Sequence, residues 1–139
     1  MSDDDLEQPN EKPQKSPEGE RTITVVAQPA DTNPSGDIFG GWILAQMDVA
    51  GGVAASRRAE GRTVTIGVKE MEFHKPVRVG DLVSCYTQVL KVGKTSLSIK
   101  IETWTTNHYN PSPLQKVTEG VFTYVALDEN RKPRPVDKS

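Results

Sequence analysis

One long apolar segment constrains the fold of this chain more than any other feature. Residues 38–60 read IFGGWILAQMDVAGGVAASRRAE. Apolar side chains recur there at i, i+4, i+7 and i+11 from Ile43, which is the spacing of one helical face. Most of the remaining circumference is apolar too, as is typical of a buried helix. We therefore expect a buried helix that Gly61 ends, and the mid-helix glycines Gly51 and Gly52 predict a close approach by another backbone.

Every other patterned segment is typical of a strand. One β-branched segment precedes the helix and four follow it, joined by short connections. We expect these strands at 22–28, 63–73, 82–92, 95–106 and 115–127. One helix lying across one face of an antiparallel sheet satisfies this order, so the sequence predicts an α+β fold with five strands or slightly more. Because the helix is apolar on more sides than one sheet covers, we expect a second subunit to bury the rest.

Composition places these elements in one domain. The chain has 139 residues, of which 35% are hydrophobic and 26% are charged, and this suits a single globular unit. Residues 1–20 hold seven acidic side chains against two lysines and have almost nothing to bury, so we expect a disordered acidic tail. We assign the folded domain to residues 21–135 and expect a frayed end at 136–139.

The same composition argues against several classes of protein. No stretch approaches the roughly 18 apolar residues of a membrane span, and the first residues lack the basic start and apolar core of a signal peptide, so we expect a cytoplasmic location. Without its acidic tail the chain is only slightly basic, which is too little to argue for nucleic-acid binding. The single cysteine, Cys85, excludes an intramolecular disulfide. Two distant histidines give no metal-ligand spacing, and we expect neither a metal nor a cofactor.

One carboxylate stands out within the helical segment. Asp48 is the only ionisable side chain between Ile38 and Ser56, and its neighbours on the helix are small or apolar. Burying an unpaired carboxylate costs several kcal/mol, so such a residue usually has a partner or a function. A solvent-facing position, or a hydrogen bond to nearby backbone, is the structural alternative.

A glycine pair marks the expected N-terminus of the same helix. Gly40 and Gly41 leave N–H groups there without side chains in the way, which makes a donor site for a carbonyl oxygen or an anion. Gly40 precedes Asp48 by eight residues, or about 12 Å along the helix axis. The two groups therefore cannot act on one atom from a single helix, although they can if a partner chain supplies one of them. Tight packing is the alternative explanation for the glycine pair.

Three motifs, taken in order, resemble a known family. They read DTNPSGDIFGGWILAQMDVAGG, TVTIGVKEMEFHKPVRVGD and VGKTSLSIKIETW. The pattern covers about 21–135 and resembles the hotdog-fold acyl-CoA thioesterases, in particular the short bacterial YciA-type hydrolases. The resemblance implies a sheet wrapped around one long central helix and two subunits joined into a continuous sheet. It also implies further assembly into a trimer of dimers, which is a hexamer.

The resemblance implies catalytic roles for three residues. Asp48 matches the acidic helix residue that the family uses in hydrolysis. Gly40 matches the glycine whose backbone N–H polarises the thioester carbonyl. Asp37 falls where related thioesterases carry an Asn or His that assists from the other subunit.

The resemblance also implies contacts to the substrate. The turn that contacts the coenzyme A moiety corresponds to Lys94, Thr95 and Ser96. Lys75 belongs to the His74–Pro76 motif, which shapes the strand beside the pantetheine channel. We interpret His74 itself as structural or peripheral.

These features predict an acyl-CoA thioesterase that releases a free acid and coenzyme A. Asp48 would act as general base for a water molecule or attack the thioester directly. No Gly-x-Ser-x-Gly elbow is present and no Cys–His pairing is evident, which disfavours a serine or cysteine nucleophile. A non-catalytic domain that binds or senses acyl-CoA on the same fold is the alternative. A hydratase is disfavoured because the helix carries no histidine.

Overall fold

The computed structural model describes residues 14–110 and 113–137. Within them the chain forms the predicted order of one strand, one long helix and four more strands. The elements are β1 (Glu20–Val26), a short 3-10 helix (Pro29–Asp31), α1 (Gly40–Ala59), β2 (Thr63–Phe73), β3 (Leu82–Val92), β4 (Ser96–Thr106) and β5 (Gln115–Ala126). The predicted α+β fold is confirmed. β1 begins two residues earlier than expected because Glu20 already pairs with Thr87 of β3.

The five strands form one antiparallel sheet in the order β1-β3-β4-β5-β2. α1 packs against all five strands, so the sheet encloses the helix on its inner face. The core between them is apolar and includes Ile43, Met47 and Ala50 of α1 and Val83, Leu97, Ile99, Ile101 and Phe122 of the sheet. Among the described residues β2 pairs only with β5, and it is therefore an edge strand of this sheet.

The buried face of α1 follows a ridge of residues four apart. Ala54, which the spacing places on the buried face, is only half-buried. Gly51, Ala55 and Ala59 are buried instead and continue the ridge that starts at Ile43. This is an i, i+4 row of the helix, which is inclined to the helix axis.

The N-terminus of α1 lies where the sequence predicts it, whereas its C-terminus differs. The helix begins at Gly40, the first residue of the glycine pair, and before it the Ile38 N–H donates to the Val77 carbonyl at 3.0 Å. At its C-terminus the left-handed residue is Glu60, with φ of 52°, and not the following glycine. Gly61 instead leaves room for Arg134. The Arg134 guanidinium occupies the space that a Cβ would need and donates to the Ala59 carbonyl at 2.8 Å.

Ordered contacts extend beyond the predicted domain of 21–135 at both ends. Gln14 Nε2 and the Glu18 N–H both donate to the Glu102 carboxylate, so this part of the predicted tail packs on the sheet. Residues 1–13, the larger part of that tail, lie outside the described residues. Val136 is buried and its N–H donates to the Lys94 carbonyl at 2.8 Å, which extends the packed chain past the predicted end. Of the predicted frayed end, residues 138 and 139 lie outside the described residues.

Within the described ranges, no helix is long and apolar enough to cross a membrane.

Candidate functional site

Asp48 lies midway along α1, half-buried, beneath two hydroxyl groups from the sheet. Thr65 Oγ1 of β2 donates to Asp48 Oδ1 at 2.6 Å. The Tyr124 hydroxyl of β5 donates to the same oxygen at 3.0 Å and to the Asp48 carbonyl at 3.2 Å. The carboxylate is therefore fixed by two neutral donors. The sequence left open whether Asp48 has side-chain partners or faces solvent, and the structure shows that it has partners.

The two hydroxyls converge on one carboxylate oxygen. Among the residues that the structure describes, none donates a hydrogen bond to Asp48 Oδ2. Burial, followed by the charge of Asp48, raises the pKa of the Tyr124 hydroxyl, so this hydroxyl stays protonated and remains a donor. One oxygen is thus held in place while the other can accept a proton.

Gly51 makes the approach of Tyr124 possible. A Cβ at this position would overlap the Tyr124 hydroxyl and the end of the Ile101 side chain. The close approach predicted for the mid-helix glycines is therefore confirmed at Gly51. The group that approaches is the Tyr124 side chain, however, and not another backbone as predicted. At Gly52 a Cβ would meet no atom of the described residues within 4 Å, because this position faces an open groove.

An open groove of about 510 Å³ runs between α1 and the first half of β2. Asp48 and Tyr124 lie at its floor with Thr65. The remaining lining residues follow α1 toward its C-terminus and cross to β2, and they are Val49, Gly52, Val53, Ser56, Arg57 and Thr63. The groove gives a ligand an apolar path along the helix with a carboxylate at one end and a guanidinium at the other.

Gly40 lies apart from this groove within one chain. It is the first residue of α1, and Phe39 before it provides no side-chain cap, so the first-turn N–H groups are not capped from the side. It is exposed, and a Cβ on it would meet only the Phe73 ring, at 3.8 Å. Asp48 follows Gly40 by eight positions, which correspond to about 12 Å along the helix axis. The sequence predicted that Gly40 and Asp48 of one helix are too far apart to act on one atom, and in the structure they are indeed apart within a single subunit.

Asp37 lies in the loop before α1 and is half-buried. Its N–H donates to Asn33 Oδ1 at 3.1 Å, and its carbonyl accepts from the Asn33 N–H at 2.7 Å. This tight loop fixes the backbone of Asp37 close to the N-terminus of α1. The catalytic role implied for Asp37 stays a prediction.

The residues expected to contact coenzyme A lie at opposite ends of the subunit. Lys94 and Thr95 form the β3–β4 turn, where the Thr95 carbonyl accepts from the Ala126 N–H at 2.9 Å. This turn is on the side of the α1 C-terminus, because Ala126 pairs with Thr63 at the start of β2. Lys75 follows the end of β2, beside the N-terminus of α1. Ser96 begins β4.

Comparison with known proteins gives the same family as the motifs. The model of the thioesterase superfamily matches residues 35–111. The acyl-CoA thioester hydrolase YciA of Salmonella typhimurium is 48% identical over 123 residues, which cover 87% of this chain and 92% of that protein. The chain belongs to the thioesterase superfamily.

Solved structures support this membership. A hexameric thioesterase from Yersinia pestis has a TM-score of 0.84 at 46% identity, covering 89% of this chain and 100% of that chain. HI0827, described as a hexameric broad specificity acyl-coenzyme A thioesterase, has a TM-score of 0.82 at 44% identity, covering 89% of this chain and 85% of that chain. The hotdog fold expected from the resemblance is confirmed.

Within this thioesterase fold His74 lies on the face of the sheet that points away from α1. Its Nε2 is 3.6 Å from Glu72 Oε2 and 3.8 Å from Glu119 Oε1. Lys116 Nζ, 2.8 Å from the same Glu119 oxygen, already supplies positive charge to this group. His74 is therefore on the other side of the sheet from Asp48, in agreement with a peripheral role.

Two residues of the site were not found from the sequence, namely Thr65 and Tyr124. Both belong to strands that were predicted correctly, but a threonine and a tyrosine in alternating strands are ordinary residues. The available signal was Gly51, because a glycine in a buried helix indicates that a bulky group packs against that position. Only the register that places Thr65 opposite Tyr124 shows which residue meets it.

Proposed function

We propose that this protein hydrolyses acyl-CoA thioesters to a free acid and coenzyme A, with Asp48 as general base. The observation that carries the proposal is the asymmetry of the Asp48 carboxylate, whose Oδ1 accepts two neutral hydroxyls while Oδ2 accepts from no described residue. A carboxylate held in this way is oriented without being neutralised by a cation. It can therefore remove a proton from a water molecule in the groove.

The chemistry follows from the two expected groups. Asp48 takes a proton from water as the water oxygen attacks the thioester carbon. The N–H of Gly40, at the positive end of the helix dipole, stabilises the charge that develops on the carbonyl oxygen. The C–S bond then breaks, and the thiolate of coenzyme A leaves without needing a strong general acid. Direct attack by Asp48, through a mixed anhydride, is the alternative route to the same products.

We propose that each active site is shared between two subunits. Val64, Ile66 and Val68 of the edge strand β2 are 43–60% exposed, as is Val49 of α1 at 55%. Exposed apolar side chains along a free strand edge and on the neighbouring helix are suited to contact with a second copy related by a two-fold axis. Two antiparallel α1 helices would place Gly40 of the partner subunit near Asp48.

The same pairing accounts for the separated coenzyme A residues. In antiparallel subunits, the end of one subunit that carries Lys94, Thr95 and Ser96 lies next to Lys75 of the partner subunit. One ligand could then contact both groups. Because relatives of this chain are described as hexameric, we propose a trimer of dimers, and we expect it to act in the cytoplasm.

The direct test is release of free thiol from acyl-CoA by the purified protein, with Asp48→Asn as the inactive control. Multiple turnovers by the wild type and none by the variant are expected. Binding of acyl-CoA without thiol release would favour the non-catalytic binding or sensing domain instead.

A mixing experiment tests the shared site. Asp48→Asn and Gly40→Val are each expected to be inactive, and subunit exchange between them creates dimers with one intact site. Activity should return to at most about one quarter of wild type, since under random pairing half of the dimers are mixed. No return of activity, with exchange confirmed by mass spectrometry, would refute the shared site.

A further inference from the structure

Among the described residues, Arg57 is the one strongly basic residue that lines the Asp48 groove. Its side chain is exposed on the same side of α1 as Asp48, Gly52 and Val53. The neighbouring arginines are engaged elsewhere. Arg58 Nη1 is 2.6 Å from Asp137 Oδ1, and the Arg134 guanidinium donates to three backbone carbonyls.

The guanidinium of Arg57 has no such partner in the described part of the chain. No carboxylate of residues 14–110 and 113–137 lies within ion-pair distance of it. A position in the last turn of α1 favours a cation through the helix dipole. The helix dipole therefore accounts for a positive charge at this end of the helix. It does not account for a second arginine that faces the groove, because Arg58 already supplies such a charge and points away from the groove.

The distance between Arg57 and Asp48 fits one particular ligand dimension. Arg57 follows Asp48 by nine positions, which correspond to about 13.5 Å along the helix axis. The pantetheine arm of coenzyme A has thirteen bonds between its sulfur and its first phosphorus. At about 3.5 Å for every three bonds of an extended chain, it spans about 15 Å. A thioester at Asp48 therefore places the diphosphate within reach of the Arg57 side chain.

We propose that Arg57 binds a phosphate of coenzyme A and selects acyl-CoA over thioesters that lack the nucleotide. This inference rests on the proposed function and adds a contact from the groove itself to those expected from Lys94, Thr95 and Ser96. A guanidinium is suited to the role because it can donate two parallel hydrogen bonds to one phosphate. Arg57 touches neither the thioester nor the water, so it changes substrate binding and leaves the chemical step intact.

The test compares acyl-CoA with the corresponding acyl-pantetheine, which has the same thioester and arm but no phosphate. For Arg57→Gln we expect the KM for acyl-CoA to rise about tenfold, because the amide keeps at most one of the two hydrogen bonds and lacks the positive charge. Its kcat for acyl-CoA and both constants for acyl-pantetheine should be unchanged. Arg57→Lys should restore part of the affinity, and the effect should shrink as salt is added. The matched control is Arg58→Gln, whose arginine is paired with Asp137 and whose loss should leave the KM unchanged.

The outcomes separate this inference from the function on which it rests. A wild type that hydrolyses neither thioester refutes the proposed function. A wild type that hydrolyses acyl-CoA, combined with an unchanged KM in Arg57→Gln, overturns the role of Arg57. Equal increases in KM for acyl-CoA and acyl-pantetheine would overturn it as well, because the second substrate has no phosphate to bind.

Discussion

Two carboxylates of this molecule are held by hydrogen bonds, but their surroundings are opposite in kind. Asp48 lies on the helix side of the sheet, where its Oδ1 accepts from two neutral hydroxyls. Glu102 lies on the other face and is 1% exposed. Its Oε2 has two ammonium groups nearby, Lys100 Nζ at 3.5 Å and Lys116 Nζ at 3.8 Å.

Neutral donors complete the surroundings of Glu102. Trp104 Nε1 donates to its Oε1 at 2.8 Å, Gln14 Nε2 at 2.9 Å and the Glu18 N–H at 3.2 Å. Burial alone raises the pKa of this carboxyl. The hydrogen bonds from Trp104, Gln14 and Glu18, together with the charge of Lys116, outweigh burial and hold the pKa of Glu102 below its ordinary value.

The difference separates a carboxylate suited to chemistry from one suited to structure. Glu102 accepts at both oxygens and is neutralised by lysines, so it has little left to offer a substrate. Asp48 is fixed at one oxygen, and among its described partners there is no cation. Burial by itself therefore does not explain the difference between the two carboxylates, whereas the charge and number of their hydrogen-bond donors do.

Removing the charge of Asp48 should give the largest effect. In Asp48→Asn the amide oxygen can still accept from Thr65 and Tyr124, so the fold is preserved, but the amide cannot take a proton. We expect kcat to fall by about 10²-fold or more, measured by thiol release, with the melting temperature close to that of the wild type. Near-normal turnover would remove Asp48 from the mechanism.

The same substitution at Glu102 should act on stability instead. Glu102→Gln removes the buried negative charge near Lys100 and Lys116, which both keep Glu119 as a partner, and should cost about 1–3 kcal/mol of unfolding free energy, while kcat changes little. Because the folded-state pKa of Glu102 is lowered, its stabilisation is complete above the unfolded pKa and is lost as pH falls through the folded one. Urea unfolding of both proteins at pH 7 and at pH 3 should show the difference closing in acid. A difference independent of pH would contradict this account.

The two mid-helix glycines should respond in opposite directions. Gly51→Ala places a methyl group against Tyr124 and Ile101, and overpacking of this kind costs about 1–3 kcal/mol. Gly52→Ala adds the same methyl group to open space, so helix propensity should stabilise the protein by up to about 1 kcal/mol. Thermal unfolding of the two variants gives the comparison. Equal changes in melting temperature would show that Tyr124 can pack against α1 without a glycine at position 51.

The smallest effects concern single hydrogen bonds on each carboxylate. Tyr124→Phe removes one donor to Asp48 and should lower kcat about tenfold with KM little changed. Gln14→Ala removes one donor to Glu102 and should cost only about 1 kcal/mol of unfolding free energy without changing kcat. Steady-state kinetics and urea unfolding on both variants measure this, and a kinetic defect in Gln14→Ala would break the proposed separation of roles.

Much of the fold could be predicted because its signals are local. The bounds of β2 and β3 were predicted to the residue, since alternating β-branched segments end at glycine and proline turns. The alternation of Leu97, Ile99 and Ile101 correctly gave the inner face of β4. It gave no indication that Glu102 on the other face is buried, because Gln14 and Glu18 come from a distant segment that composition classed as tail.

The sequence by itself determined the order of elements, the lone carboxylate in an apolar helix and the family to which the chain belongs. The first two follow from periodicity and from residue types close together along the chain, and the family follows from the resemblance that three motifs carry. Only the tertiary structure decided that Thr65 and Tyr124 hold Asp48, that Gly51 admits Tyr124, and that Arg57 and not Arg58 lines the groove. The physical reason is that these contacts depend on strand register and helix rotation, which packing of the whole domain fixes and no local pattern encodes.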